Sequence, residues 1–270
     1  MLNISRIHKT FSQETVNEVR ALQDVSLQIE KGSFTAVIGT NGSGKSTLLN
    51  AVAGTFKPDR GNIVLFDKDI TRWPEYRRAS LIGRVFQNPF AGTAAGMTIA
   101  ENIALAMRRG KQRSLKMAIN SSVRDEIAER IKTLKMGLEN RLDNPIGTLS
   151  GGQRQALTLL MATWLRPQLL LLDEHTAALD PRTAAKVAEI TREIITREKL
   201  TALMVTHSMQ QAVDLPDRII MMHRGRIVED FREEMKARVR VSDLINTFER
   251  VQKLDLFDPT VAELLEQQFV

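Results

Sequence analysis

Residues 39–46 read Gly39-Thr40-Asn41-Gly42-Ser43-Gly44-Lys45-Ser46, and they lie between a short apolar run and a segment with helical periodicity. Glycines let backbone N–H groups turn inward around phosphate oxygens, and the following helix adds its positive N-terminal end. In this strand–turn–helix setting the complete motif predicts a phosphate-binding loop. The alternative, a glycine-rich turn with a solvated lysine, does not explain the strand before it and the helix after it.

Each position of this loop has an expected role. We expect Lys45 to neutralise the β- and γ-phosphates of a nucleotide, and the Ser46 hydroxyl to face Mg²⁺. The predicted nucleotide-binding residues of the loop are Gly39, Thr40, Asn41, Gly42, Ser43, Gly44, Lys45, Ser46 and Thr47.

A second element of the same chemistry follows a buried strand. The run Leu169–Leu172 is continuously apolar, as in a parallel strand covered on both faces, and it ends at Asp173 and Glu174. Asp173 can hold Mg²⁺ through water, and Glu174 can polarise the attacking water as a general base. Alone, such a pair would more often be a solvated acidic strand end; beside a phosphate loop, the catalytic interpretation is favoured.

The sequence Leu149-Ser150-Gly151-Gly152-Gln153 starts a third candidate site. Ser150 is a good helix N-cap, and two glycines leave the first-turn N–H groups open to an anion. These residues predict either a second phosphate site or an ordinary capped helix start, and the pentapeptide alone does not decide between them.

With Arg154 and Gln155 added, this segment resembles the signature of the ABC (ATP-binding cassette) ATPases. The resemblance extends from about Leu2 to Asp230, because other motifs of that family follow in the same order. It implies that Phe11 stacks on adenine, that Gln87 touches Mg²⁺ and water, that Asp180 lies in a loop facing the opposite subunit, and that His207 contacts the γ-phosphate. Taken alone, Phe11 would more often be core, Gln87 a polar strand end and His207 a structural histidine.

The family resemblance also implies an assembly. Two copies face each other head to tail, so that Ser150, Gly151, Gly152 and Gln153 of one copy act on the ATP held by the phosphate loop of the other. Two departures from the family pattern are visible. His175 stands where proline is usual, and Ala178 replaces the usual serine; a packed or solvated His175 is favoured over a catalytic one.

The order of apolar segments predicts an α/β fold. We expect a P-loop NTPase core with a parallel sheet, an N-terminal antiparallel β portion and an inserted helical subdomain. Predicted boundaries are 1–230 for the ATPase domain, about 88–164 for its helical insertion, and 231–270 for a mostly helical tail. Predicted strands are Ile4–Ile7, Val25–Ile29, Phe34–Ile38, Asn62–Phe66, Leu169–Leu172, Ala202–Val205, Ile219–Met222 and Arg226–Val228. Predicted helices are Thr47–Ala53, Ile99–Met107, Arg124–Met136, Gly152–Leu165 and Pro181–Thr196.

Composition limits the cellular setting. No run reaches the about 18 apolar residues of a membrane span, so another polypeptide is expected to supply the membrane part. The net charge of +6 fits an anionic ligand, an anionic membrane surface or nucleic acid. The basic residues of the chain form separate clusters without interleaved aromatic residues, which argues against a protein that binds single-stranded nucleic acid. The absence of cysteine fits a reducing compartment.

A free-standing cassette of this kind resembles the ATPase subunit of a prokaryotic importer, loosely of the amino-acid type that includes tryptophan/tyrosine-like systems. The resemblance implies a peripheral position at the cytoplasmic face of the cell membrane. Its implied partners are a second copy, a separate permease and a substrate-binding protein, with Mg²⁺ as cofactor and no nucleic acid. The alternatives are a soluble ABC-type ATPase acting on nucleic acid and a regulatory ATP-binding subunit, the second of which would not need Glu174.

Overall fold

Two β-sheets position the rest of the chain in the computed structural model, which describes residues 1–110 and 119–256. The strands are β1 (Leu2–Phe11), β2 (Val19–Ile29), β3 (Phe34–Gly39), β4 (Arg60–Leu65), β5 (Lys68–Asp69), β6 (Ile82–Val85), β7 (Leu169–Asp173), β8 (Ala202–Val205), β9 (Arg218–His223) and β10 (Arg226–Phe231). The helices are α1 (Lys45–Ala53), α2 (Glu75–Arg78), α3 (Ile99–Met107), α4 (Ser121–Lys132), α5 (Gly151–Thr163), α6 (Pro181–Glu198), α7 (Met209–Asp214), α8 (Glu233–Arg238) and α9 (Val241–Leu256).

The larger sheet has the strand order β10-β9-β3-β8-β7-β6. From β9 to β6 every neighbouring pair is parallel, and β10 is an antiparallel edge strand. The carboxyl ends of β3, β6, β7 and β8 therefore meet at one edge. This mixed α/β arrangement confirms the predicted fold class. The last two predicted strands, on either side of Gly225, pair as an antiparallel hairpin.

Both faces of the parallel sheet are buried, as β7 illustrates. Leu170 and Leu172 point into one apolar core, shared with α3, α4 and α5. Leu169 and Leu171 point into a second core, shared with α1 and the smaller sheet. Alternation along a strand turns successive side chains to opposite faces, so an unbroken leucine run is what a sheet covered on both sides requires.

The smaller sheet is antiparallel, with the order β2-β1-β4-β5. It joins the larger sheet next to the β9–β10 turn, where Gln23 N donates to Gly225 O at 2.8 Å. The side-chain Nε2 of Gln23 donates to Arg224 O at 3.0 Å. The predicted N-terminal antiparallel portion is thereby fixed against the edge of the parallel sheet.

Between β6 and β7 the described chain forms the helices α3, α4 and α5, joined by turns and loops. A capping box between Thr98 and Glu101 begins α3. Helix α4 begins and ends earlier than the predicted Arg124–Met136, because Asn120 caps its start and Lys135 adopts a left-handed φ of 52° beyond its end. The basic composition of residues 108–116 predicts an exposed loop or helix end, and residues 111–116 of that segment lie outside the described residues. The boundaries 88–164 for the insertion remain a prediction.

Strand β6 was not predicted. Its sequence Ile82-Gly83-Arg84-Val85 lacks apolar alternation, because a glycine and an arginine interrupt it. Gly83 is required there by close packing, since a Cβ would lie 2.5 Å from Ala162 O. In the tail, the predicted helical character is seen in α8 and α9, while Pro259 lies outside the described residues.

A fully buried arginine holds the end of α1. Arg78 Nη1 donates to the carbonyl oxygens of Ala51 and Val52, at 2.7 and 2.8 Å. Its Nη2 donates to Thr71 O at 3.0 Å and its Nε to Trp73 O at 2.9 Å. Burial lowers the pKa of Arg78 to about 10, which leaves it charged at neutral pH. A cation at a helix C-terminus that satisfies otherwise orphan carbonyls stabilises that end.

Arg78→Met keeps the aliphatic stem but leaves those four carbonyls without their donor. We expect a loss of about 3 kcal/mol or more in the free energy of unfolding, because each orphaned buried acceptor costs about 1 kcal/mol or more. Chemical denaturation measures it. Arg77→Met, on the exposed neighbour that stacks over Trp73, is the control and should change stability little. Equal stability of the two variants would contradict this role of Arg78.

Candidate functional site

The phosphate loop connects β3 to α1, and Lys45 is the first residue of the helix. Its ammonium donates to the carbonyl oxygens of Gly39 and Thr40, each at 2.9 Å. Burial lowers the pKa of Lys45, and the negative charge of Glu174 opposes that shift. The lysine is therefore held at the mouth of the loop and lies within electrostatic reach of the carboxylate that ends β7.

Two positions of the phosphate loop require glycine, one because of close packing and backbone conformation and the other because of backbone conformation alone. Gly44, the N-cap of α1, has a φ of 96°, and a Cβ on it would lie 2.4 Å from Ala21 O. Gly42 has a φ of 76° and open space around it, so conformation alone selects glycine there. The exposed side chain of Ser46 and the partly buried one of Thr47 lie in the first turn of α1.

Three of the predicted catalytic residues meet at the Glu174 carboxylate. His207 Nε2 donates to Glu174 Oε1 at 2.6 Å, and Gln87 Nε2 donates to Glu174 Oε2 at 3.0 Å. The carboxylate is 11% exposed, against 44% for the histidine side chain. Glu174 has a left-handed φ of 44°, while its own N–H donates to Val205 O at 2.9 Å. A non-glycine residue held in that region is a form of local strain typical of functional sites.

These residues are brought together by the parallel sheet. Gln87 follows β6, Asp173 and Glu174 close β7, and His207 follows β8. Their strands are neighbours, and parallel strands present their carboxyl ends at one edge. Ser46, Asp173 and Gln87 offer hydroxyl, carboxylate and amide oxygens, which are the hard donors that Mg²⁺ accepts. With water and phosphate oxygens completing the shell, this donor set fits Mg²⁺ rather than a metal that prefers sulfur or nitrogen.

The signature residues begin α5. The Ser150 hydroxyl accepts from Gln153 N at 3.3 Å, and Gln153 Oε1 accepts from Ser150 N at 3.2 Å, which forms a capping box. Among the described residues, no hydrogen bond joins Ser150–Gln153 to the phosphate loop of the same chain. The hydrogen bonds of these residues therefore lie within their own helix start, and their action on the ATP of another copy stays a prediction.

Close packing explains the signature glycines. A Cβ on Gly152 would lie 2.0 Å from Thr183 Cγ2, and one on Gly151 would lie 3.2 Å from Leu179 Cδ2. Asp180 caps α6 by accepting from Thr183 N at 3.1 Å, and hydrogen bonds from Thr183 lower the pKa of Asp180. The signature and the loop that ends at Asp180 are therefore packed against each other and are expected to move together.

Phe11 ends β1, and its side chain is 38% exposed, so it is not part of the buried core. Its ring meets Phe56 edge-on, with centroids 5.4 Å apart, and Lys9 Nζ lies 5.4 Å from its centroid. An aromatic face that is held from one side and open on the other is suited to stacking on a base.

The two departures from the family pattern differ in their surroundings. His175 is buried, and its Nε2 lies 2.9 Å from Thr191 Oγ1. The threonine hydroxyl itself donates to Val187 O, so it accepts from the imidazole. Burial lowers the pKa of His175 to about 4, and the ring is neutral and packed, in agreement with the structural interpretation. Ala178 is exposed.

Sequence reasoning missed residues that support the site. Arg154 lies with its guanidinium 4.2 Å from the centroid of the exposed ring of Phe90, and Gln155 Nε2 donates to Phe86 O at 2.9 Å. Both side chains come from α5 and hold the segment around Gln87. Arg84 contacts Asp173. The available signal was the Arg154-Gln155 pair that follows the signature; Arg84 carried no recognisable one.

A search of the described helices finds none long and apolar enough to cross a bilayer. A family model described as ABC transporter matches residues 22–177. A tyrosine transport ATP-binding protein of Clostridioides difficile is 39% identical over 249 residues, which are 92% of this chain and 99% of that protein. A sulfate/thiosulfate import ATP-binding protein of Xanthomonas campestris is 36% identical over 244 residues, 90% of this chain and 65% of that protein.

Solved structures are similar in fold. A dimeric ATP-binding cassette in a post-hydrolysis state bound to ADP and Pi has a TM-score of 0.72 and 26% identity, covering 86% of this chain and 98% of that one. The ADP conformation of an ATP-binding cassette of an ABC transporter has a TM-score of 0.74 and 27% identity, covering 98% of each chain. The family match, the relative aligned over nearly its full length and the similar folds all agree. The chain therefore belongs to the ABC transporter family, as an ATP-binding and ATP-hydrolysing subunit.

Proposed function

We propose that this ATPase powers a prokaryotic importer of a small solute such as an amino acid, with Glu174 as its general base. The single observation that carries the catalytic part is the meeting of Glu174, Gln87 and His207 within hydrogen-bond distance. The solute class is supported by the relative named for tyrosine transport. Relatives named for import favour transport over the nucleic-acid alternative.

In this proposal each side chain has one task. The phosphate loop binds ATP, with Lys45 at the β- and γ-phosphates and Phe11 under the adenine. Ser46, Asp173 and Gln87 would hold Mg²⁺, which supplies charge stabilisation on the phosphate oxygens when bound. Glu174 accepts a proton from the attacking water, and His207 moves its Nε2–H from the carboxylate to the γ-phosphate.

The second copy completes the site. Ser150–Gln153 of one copy would place the positive start of α5 against the γ-phosphate bound by the other, which is electrostatic stabilisation from a partner. The packing of Gly152 against Thr183 ties this surface to the loop at Asp180. The dimeric cassette among the similar structures supports the formation of a pair, and the head-to-tail arrangement is part of the proposal.

The proposed permease contact is a groove beside Gln87. It encloses about 400 Å³ and is lined by residues from α2, β6, α3 and α5 and by the segment that follows β6, among them Glu75, Phe86, Gly92, Leu105 and Met161. Phe90 and Leu105 are 60% and 56% exposed. We assign this apolar groove, with Phe90–Thr93, to a cytoplasmic segment of a separate permease at the cytoplasmic face of the membrane. A substrate-binding protein would deliver the solute outside.

Glu174→Gln keeps the shape of the side chain and removes its basicity. We expect ATP to bind with near wild-type affinity while turnover falls by about a hundredfold or more, the usual scale for loss of a general base. Steady-state phosphate release and nucleotide binding measure the two effects. Near-normal hydrolysis by the variant would remove Glu174 from the role of base.

Ser150→Arg introduces a bulky cation where the partner's γ-phosphate is expected. ATPase activity should be abolished, while each monomer still binds ATP through its own phosphate loop. Size-exclusion chromatography with ATP, in the Glu174→Gln background, should show loss of the dimer. Ser121→Arg, at the exposed start of α4, is the matched control. A fully active Ser150→Arg monomer would be incompatible with the shared site.

Leu105→Ser removes an exposed apolar side chain from the lining of the groove, and Phe90→Ser removes one from the adjoining segment Phe90–Thr93. The isolated subunit should keep its basal hydrolysis within about twofold, because neither residue contacts the phosphate loop or Glu174. Transport by the assembled complex should fall several-fold. Val16→Ser removes a fully exposed valine from the loop between β1 and β2 and should change neither. Unchanged transport in both groove variants would place the permease contact elsewhere.

A further inference from the structure

Arg84 holds the carboxylate that is expected to serve the metal. It lies on β6, and its Nη2 donates to Asp173 Oδ2 at 3.3 Å and to Asn50 Oδ1 at 2.6 Å. The arginine and aspartate side chains are 14% and 16% exposed. This ion pair is therefore shielded from solvent ions, and its electrostatic effect is larger than that of a surface pair.

The remaining contacts fix the guanidinium in place. Its Nη1 donates to Thr55 Oγ1 at 3.3 Å and lies 3.9 Å from Glu75 Oε1. Its plane lies 4.6 Å from the centroid of Phe86, while its buried Nε has no partner. The cation is thus held beside Asp173 by α1, α2 and the strand itself, without being neutralised by a second buried carboxylate.

We propose that Arg84 is a positioning residue that acts as a built-in counter-ion of Asp173 and weakens the binding of Mg²⁺ at the nucleotide site. The proposal rests on the proposed function, in which Asp173 is a metal ligand. A fixed positive charge on one carboxylate oxygen reduces the negative potential available to a divalent cation and repels it directly. Asp173 keeps its other oxygen for the hydration shell of the metal.

Arg84 also lies next to the groove assigned to the permease. The same side chain lines the groove assigned to the permease. One guanidinium therefore lies between the metal carboxylate and the surface expected to face the membrane subunit. Gln87, three residues further along the chain, contacts the general base, so the same strand end reaches both acidic residues of β7.

The test is the dependence of nucleotide affinity on metal. The Kd of a fluorescent, non-hydrolysable ATP analogue is measured in EDTA and in saturating Mg²⁺. The Kd in EDTA divided by the Kd in Mg²⁺ reports the coupling between metal and nucleotide. In Arg84→Met the ratio should rise by about three- to tenfold, the scale of one unit charge at a partly buried site. Arg84→Lys, which keeps the charge, should retain the wild-type ratio.

Two controls make the result interpretable. Arg77→Met removes an exposed charge from the same region and should leave the ratio unchanged. Arg84→Gln, which keeps a donor for Asn50, should show the same rise as the methionine variant and replaces it if that variant does not fold. An unchanged or smaller ratio in the neutral variants overturns the proposal. Failure of the wild-type protein to bind the analogue would instead overturn the nucleotide site itself.

Discussion

The Glu174 carboxylate accepts hydrogen bonds from two side chains that arrive on different strands, and the functional site depends on that constraint. Gln87 follows β6 and His207 follows β8, while Glu174 closes the strand between them. The contact is possible only because β6, β7 and β8 are parallel neighbours in register. A shift of one residue in any of these pairings would turn the side chains to the opposite face and separate the three groups.

The left-handed conformation of Glu174 is held by the surroundings of the strand end. Its N–H still pairs with Val205, and the next residue, His175, is anchored through Thr191 on α6. Because Asp180 caps the start of α6, one helix links the catalytic turn to the loop that packs on the signature. A proline at this position would restrict the backbone after Glu174 through its fixed ring geometry. The neutral His175 restricts the same backbone in part through its hydrogen bond to Thr191.

Much of this arrangement could be predicted, for identifiable reasons. The phosphate loop, the leucine strand and the capped signature each combine a motif with the secondary structure that the motif requires. The structure has Ser150 as the N-cap of α5, as predicted, and begins α1 at Lys45, two residues before the predicted start. The roles of Lys45, Glu174 and Ser150 stay predictions. The predicted end of α4 was wrong because the apolar periodicity continues beyond Lys132, whereas the backbone of Lys135 leaves helical geometry. Strand β6 was missed because its glycine and arginine are selected by tertiary contacts, and a local sequence pattern carries no information on such contacts.

Arg78 and Arg84 show most clearly what the sequence could not disclose. Both look like solvated cations in a basic stretch, yet one is buried against four carbonyls and the other against Asp173. Both side chains reach the C-terminal part of α1, Arg78 at the carbonyls of Ala51 and Val52 and Arg84 at the side chain of Asn50. Arginine suits both places, since its planar fork can satisfy several acceptors at once. One residue type therefore satisfies the carbonyls at the C-terminal end of the phosphate-loop helix and also pairs with the carboxylate of Asp173, and the arginine that does the second also lines the groove.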